Sequence, residues 1–381
     1  MGEGARRRQG AGQRGHRGCG EGTRAMKRWG VPLLYVLAVL LALHAWRIKT
    51  GIDLQVYLRA GARVLAGEEI YVAAEPSPYK YAPSTAAVFA PLSLLPLRAA
   101  QLLWLLASAL AFVRFVQVSA HARGLGAWWQ SLVVLVLCSP YLSQVFFLGQ
   151  ADALLVLLMG LSELEAKRRP MRSGVLWAIV VAFKLPFMLF AIPALMFREW
   201  RRLAGLVLGA ALVALVGVIA FGFSGFIHEL FAWRALLQAS TGVSLVATDN
   251  QSLTGILWKL GLQSQVLLIA LSLALLALGC WTRDRLHLSA VTFFFAAFLS
   301  PLGWLSNLVV IAPMAAALLA SRQAPSSRAG LALLALALLV NFDILGRERF
   351  EAALHLRVFG WLTLGAALCL IATHRRRQSA A

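Results

Sequence analysis

The chain is a succession of apolar runs separated by short basic stretches. The first run covers 31–46. Others follow near 99–119, 127–147, 150–165, 203–223, 264–282, 286–304, 305–320, 329–346 and 356–374. One helical crossing of a bilayer takes about 20 apolar residues, so most of these runs have the length of a membrane helix. Basic residues cluster between them at Arg114–Arg123, Lys167–Arg172, Arg198–Arg202, Arg283–Arg285, Arg322–Arg328 and Arg375–Arg377. Basic loops are retained in the cytoplasm. If all the clusters lie there, the runs alternate in direction and both termini are cytoplasmic. The pattern predicts an all-α polytopic membrane helix bundle of about ten to twelve membrane helices.

Residues 173–197 break the alternation, because basic clusters flank them on both sides. Lys184-Leu185-Pro186 sits at their centre. Proline disfavours helix in the residue before it and lacks a backbone donor. A lysine at membrane depth is costly unless it meets water or a partner. Two half-helices with a turn near the outer side, a re-entrant pair, account for all of this. Two stretches then lie outside, 47–98 and 224–263. The first begins with an amphipathic pattern, Leu54, Leu58, Ala62 and Leu65 against Asp53, Arg59 and Arg63, which predicts a helix lying in the outer interface after the first span.

Composition narrows the class. Of 381 residues, 60% are hydrophobic and 14% charged, against about 45–50% and 25% in soluble domains. A soluble enzyme and a DNA-binding protein are excluded. The net charge of +20 then marks topology, not a nucleic-acid partner. Residues 1–28 carry eight basic and two acidic side chains with few apolar ones and read as a disordered basic cytoplasmic tail. Residues 29–374 form a single transmembrane domain, and 375–381 a second basic tail. Cys19, Cys138, Cys280 and Cys369 show no metal-ligand or redox spacing, so no metal site is expected.

With this topology Asp53, Lys80, Gln150, Asp152, Lys184, Asp249, Asn250, Gln251, Ser300, Asn307 and Asp343 all fall near the outer membrane surface. Polar groups at a membrane edge mark a pathway or a site, so a cavity open to the outer leaflet is expected. The chain holds no nucleophile triad, P-loop or dinucleotide fingerprint. Carboxylates, cations and amides at a lipid boundary suit group transfer from a lipid phosphate: a carboxylate takes a proton from a hydroxyl and a cation meets the departing phosphate. A transporter or flippase of lipid-linked sugars uses similar groups. Asp53 by itself also suits the N-cap of the following helix.

Gly51-Ile52-Asp53 with Tyr57, then Gly67, Tyr71, Tyr81-Ala82-Pro83 and Phe89-Ala90-Pro91-Leu92, resembles the first outer loop of glycosyltransferase family 87 of the GT-C superfamily. Gly149-Gln150, Phe183-Lys184-Leu185-Pro186, Asn250-Gln251-Ser252-Leu253 with Gly255, and Ser300-Pro301-Leu302-Gly303-Trp304 follow in the family's order, over about 50–315. The resemblance implies a bacterial cytoplasmic-membrane enzyme with its active site on the outer face. It implies inverting transfer of a sugar, mannose by family default, from a polyprenyl phosphate to a glycolipid or glycan hydroxyl, without cofactor or nucleotide. It makes Asp53 the general base. Lys184 is then the candidate for the donor phosphate and Lys80 the second. Gln150, Asn250, Gln251 and Asn307 are candidates for substrate hydroxyls, and Tyr57 and Tyr81 for packing on sugar or lipid. After Trp304 the family often carries an acidic residue and histidines; this chain has Leu305-Ser306-Asn307-Leu308.

Overall fold

The computed structural model describes residues 17–48 and 51–379. They form an all-α bundle. Helix α1 (Arg17–Arg47) leads into α2 (Ile52–Ala66) and α3 (Pro83–Ser93). Residues 1–16 of the basic tail lie outside the described residues. The described part of α1 begins at Arg17. At the other end α16 (Val358–Ser379) continues through Arg375–Arg377.

The helix expected after the first span is present as α2, but its buried face is Leu54, Val56, Tyr57, Ala60 and Gly61. Leu65 is exposed. The unforeseen α3 packs on α2, and Gly61 lets the two backbones meet: a Cβ there would stand 2.6 Å from the Phe89 carbonyl carbon. Stretch 47–98 thus holds a second helix, α3, packed on the expected one.

The bundle continues with α4 (Leu97–His121), α5 (Trp128–Leu148), α6 (Asp152–Glu165) and α7 (Pro170–Phe183). A 3₁₀ segment (Leu185–Phe190) and α8 (Ala191–Met196) lead to α9 (Trp200–Leu245). Then come α10 (Leu253–Lys259), α11 (Gln265–Cys280), α12 (Arg285–Phe298), a second 3₁₀ segment (Leu305–Ile311), α13 (Ala312–Ala320), α14 (Pro325–Leu339) and α15 (Phe342–His355). Helices α12 and α13 are buried along nearly their whole length. Valine, leucine and phenylalanine side chains on α9 and α11 face outward, among them Val207, Phe223, Val266 and Leu273. A bilayer is the solvent that such a surface requires.

Among the described residues four helices are long and apolar enough to cross a membrane on their own: Gly30–Arg47, Leu97–His121, Trp128–Leu148 and Trp200–Gly242. That is fewer than the apolar runs suggested, because several runs break. Run 329–346 ends with α14 and turns by 94° into α15, whose residues are largely exposed. The expected outer loop 224–263 is mostly helical, since α9 resumes beyond a non-helical Gly222 (φ 71°, ψ 166°) and continues to Leu245.

The re-entrant pair is there. Helix α7 ends at Lys184, which is extended (φ −136°, ψ 94°). The Trp177 indole then donates to the Phe187 carbonyl at 2.9 Å. In a continuing helix those residues would stand about 15 Å apart along the axis, so the chain folds back on itself. It returns through α8 to the level at which α7 began: Cβ atoms on Gly174 and Gly205 would lie 2.1 Å from Arg202 O and 2.2 Å from Met171 O. Gly205 and Gly209 of α9, four residues apart, let it run parallel to α7 with backbones nearly touching. On this level Arg202 and Arg285, which loop clusters suggested would be solvated, are tied to Glu163 and Glu199. Arg202 is fully buried.

Candidate active site

Two glycines set the first wall. Gly51 caps α2 in a left-handed conformation (φ 106°) and its N–H donates to Phe147 O at 3.0 Å. Gly149, also left-handed (φ 71°), ends α5. A Cβ on Gly149 would lie 3.2 Å from Gly51 Cα and 3.0 Å from Leu54 Cβ. Positive φ and close approach both favour glycine. This contact brings Asp53, two residues after Gly51, and Gln150, directly after Gly149, side by side. Asp53 does not act as the N-cap, because Gly51 holds that place without a side-chain cap.

A cavity of about 590 Å³ opens between α2, the Pro76–Tyr81 loop, α6, the tip of the α7 hairpin, α9 and the Ser300–Asn307 segment. Asp53, Tyr57, Lys80, Tyr81, Gln150, Lys184 and Asn307 all line it, together with Asp152, Asp249 and Ser300. Seven of the nine predicted site residues therefore meet. Asp343 does not; it is exposed on α15.

The Gln150 side chain donates to Asp53 while its carbonyl accepts from Ser306 at 2.8 Å. Burial raises the Asp53 pKa most; the Gln150 hydrogen bond opposes this, Asp152 and Asp249 push it further up, and Lys184 lowers it. The net shift is upward, toward the range in which a carboxylate serves as a base near neutral pH. Tyr57 and Tyr81 share a 2.9 Å hydrogen bond between hydroxyls. Tyr57 stacks on Phe89 at 4.8 Å, and Tyr81 meets Phe183 edge-on at 5.5 Å. Burial holds both hydroxyls well above the ordinary tyrosine range, so they stay neutral.

The two lysines differ. Lys184 donates to Asp152 Oδ1 at 2.6 Å and to Asn307 Oδ1 at 2.7 Å. Asp152 is 1% exposed, and its Oδ2 is buried without a hydrogen-bond partner. Lys184, the first candidate for the donor phosphate, lines the cavity but is paired with a carboxylate. Lys80 reaches Ser244 at 3.5 Å and has no carboxylate within ion-pair distance among the described residues. Burial lowers its pKa and Asp53 raises it. The Trp233 indole holds the Lys80 carbonyl at 2.9 Å. The pairing of Asp152 with Lys184 is not evident from sequence order; its one signal there is a carboxylate one helix away from a mid-membrane lysine.

Asn250 and Gln251 do not reach the cavity. Both are fully buried. Asn250 donates to Leu245 O and Pro301 O, each at 3.1 Å, and accepts from Gly303 N at 2.9 Å. Gln251 donates to Thr248 O and Leu354 O and accepts from Gly360 N. Their chemistry is spent on backbone where no helix supplies partners. The two polar motifs brace each other, which fixes Asp249 and Ser300 at the cavity rim. Asn250→Ala leaves those buried groups orphaned, each at about 1–3 kcal/mol. It should lower the thermal midpoint in detergent, with the KM of the folded fraction unchanged.

Comparison with known proteins places this bundle. The model of glycosyltransferase family 87 matches residues 79–302, and a curated relative is 30% identical over 319 residues, covering 74% of each chain. The chain belongs to glycosyltransferase family 87. The relative is the polyprenol-phosphate-mannose-dependent alpha-(1-2)-phosphatidylinositol pentamannoside mannosyltransferase of Mycolicibacterium smegmatis. Among solved structures, ArnT from Cupriavidus metallidurans bound to undecaprenyl phosphate is matched with a TM-score of 0.38 and 17% identity, over 91% of this chain and 78% of that one. This family 87 protein is a multi-pass membrane glycosyltransferase. The family match takes in Lys80, Tyr81, Gln150 and Lys184; Asp53 precedes it and Asn307 follows it.

Proposed function

We propose that this glycosyltransferase moves a sugar from a polyprenyl phosphate to an acceptor hydroxyl, with inversion, in the cavity beside Asp53. The observation that carries the reading is a buried carboxylate and an unpaired lysine facing one membrane-edge cavity. Asp53 takes the proton of the acceptor hydroxyl. The oxygen attacks the anomeric carbon, the bond from that carbon to the phosphate oxygen breaks, and polyprenyl phosphate departs. Lys80 meets the phosphate charge as a mobile point donor. Tyr57 and Tyr81 form the wall against which sugar or prenyl chain packs. The family 87 relative, a polyprenol-phosphate-mannose-dependent enzyme, supports mannose as the transferred sugar and a glycolipid as acceptor.

Orientation follows from charge. The cavity lies at one end of α6 and α7, while Lys167, Arg168, Arg169 and Arg172 lie at the other. Basic loops inside would put the cavity on the outer face of the cytoplasmic membrane and both termini in the cytoplasm.

The test is transfer of label from polyprenyl-phosphate-[14C]mannose by purified protein in liposomes, beside polyprenyl-phosphate-arabinose. Labelled product is expected; donor crossing the bilayer without product would instead make the protein a flippase. Lys80→Gln should raise the donor KM by about 10- to 100-fold, the worth of one hydrogen bond to a charged group. An unchanged KM would remove Lys80 from the phosphate.

A further inference from the structure

A second cleft, about 500 Å³, lies at the opposite end of the α7 hairpin from the candidate site. It is bounded by Ala166, Lys167 and Pro170 before and at the start of α7, and by Phe197–Arg201 before and at the start of α9. Helix α6 has 14 residues and joins the two cavities, which sets them about 20 Å apart along its axis.

Charge in this cleft is unbalanced. Lys167, Arg198 and Arg201 pair with no carboxylate among the described residues. The acid within the cleft, Glu199, is already engaged by Arg202 and Arg285, and Glu165 just behind it by Arg172. Three cations therefore face a pocket with no free counter-charge. Beside them Trp200 is 61% exposed, as interfacial tryptophans are. Further along α9, before the break at Gly222, an apolar stripe turns outward: Leu208, Leu212, Leu215 and Ile219 are all exposed. Their spacing of three and four keeps them on one helix face. A cationic pocket at the foot of a lipid-facing stripe has the shape of a phospholipid, with the headgroup in the pocket and an acyl chain along the helix.

We propose that this cleft binds the headgroup of an anionic phospholipid in the leaflet opposite the candidate site, clamping the two ends of the hairpin that carries Lys184. The site takes a phosphodiester headgroup with acyl chains attached. Zwitterionic lipid brings its own cation and gains less from three more. The inference rests on the fold and on charge, and stands whether or not the proposed transfer reaction is correct.

Purified full-length protein in neutral detergent, supplemented with phosphatidylglycerol or phosphatidylcholine, tests it by native mass spectrometry and thermal unfolding. Wild type should retain phosphatidylglycerol at least fivefold over phosphatidylcholine and unfold at higher temperature with it. The triple variant Lys167→Gln, Arg198→Asn, Arg201→Gln should lose both effects. Asn suits position 198 because Arg198 has φ 53°, a region Asn tolerates. The triple change Arg114→Gln, Arg322→Gln, Arg328→Gln, at exposed basic residues outside the cleft, should keep both effects, which separates the site from overall charge. Equal retention of the two lipids by wild type, or retained preference in the triple variant, would overturn the proposal. So would inorganic phosphate raising the unfolding temperature as much as phosphatidylglycerol, since that would remove the acyl chain from the site.

Discussion

Asp53→Asn should lower sugar transfer by about 10²- to 10⁴-fold, the range for loss of a general base, while the protein folds as before. The substitution keeps size and polarity beside Gln150 but cannot accept a proton. Asp53 is the right residue for this test because three carboxylates line the cavity and each is placed differently. Asp152 is committed to Lys184 at 2.6 Å. Burial also raises the Asp249 pKa, but Asp249 stands at the rim near Arg357, with its carbonyl receiving Leu305 N at 3.1 Å. Asp249→Asn is therefore expected to cost far less. The pH profile is a second readout. Asp53 works deprotonated, and its pKa is raised above the usual carboxylate value of about 4 by burial and by Asp152. Activity should be complete above that raised pKa and fall as pH drops through it, so the acid limb of kcat/KM lies above the ordinary carboxylate range. A normal profile in Asp53→Asn, with transfer equal to wild type, would assign the base elsewhere.

Lys184→Met is expected to cost about 3–5 kcal/mol of stability, the usual penalty for stranding one member of a buried ion pair. Asp152 is 1% exposed and has a second oxygen already without a partner; without Lys184 it would keep neither a counter-charge nor that hydrogen bond. The lysine also holds the hairpin tip to α6 and to Asn307. Unfolding by denaturant in mild detergent should show the loss. The double variant Lys184→Met, Asp152→Leu should recover most of it, since replacing both charges by apolar groups removes the desolvation problem. Activity should stay low in the double variant, because Asp152 raises the pKa of Asp53 and Lys184 orders the cavity floor. A single variant as stable as wild type would instead make Lys184 a free ligand for substrate.

The membrane class, the break at 184 and the sites of Asp53, Lys80, Gln150 and Lys184 were legible in the sequence. They rest on local physics: apolar runs have one solvent, a Lys-Leu-Pro triplet cannot continue a helix cheaply, and basic loops mark one side. Position within the site was not legible. Asn250 and Gln251 look like sugar-binding amides in a string of letters, yet fold into backbone brackets at Pro301, Gly303, Leu354 and Gly360. Helix α3 was missed because its apolar, proline-flanked sequence carries no distinct periodicity and gains its helix by packing on α2. Arg202 and Arg285 read as loop charges, because the acid they share at Glu163 stands 39 and 122 residues away in sequence.

By itself the sequence determined that this chain lives in a bilayer, which family motifs it carries and which polar residues interrupt its apolar runs. The tertiary structure decided which of those residues face one another. Hydropathy is summed along the chain and survives without a fold. Ion pairing, burial and the choice between Lys80 and Lys184 depend on distances across the bundle, and only folding sets those distances.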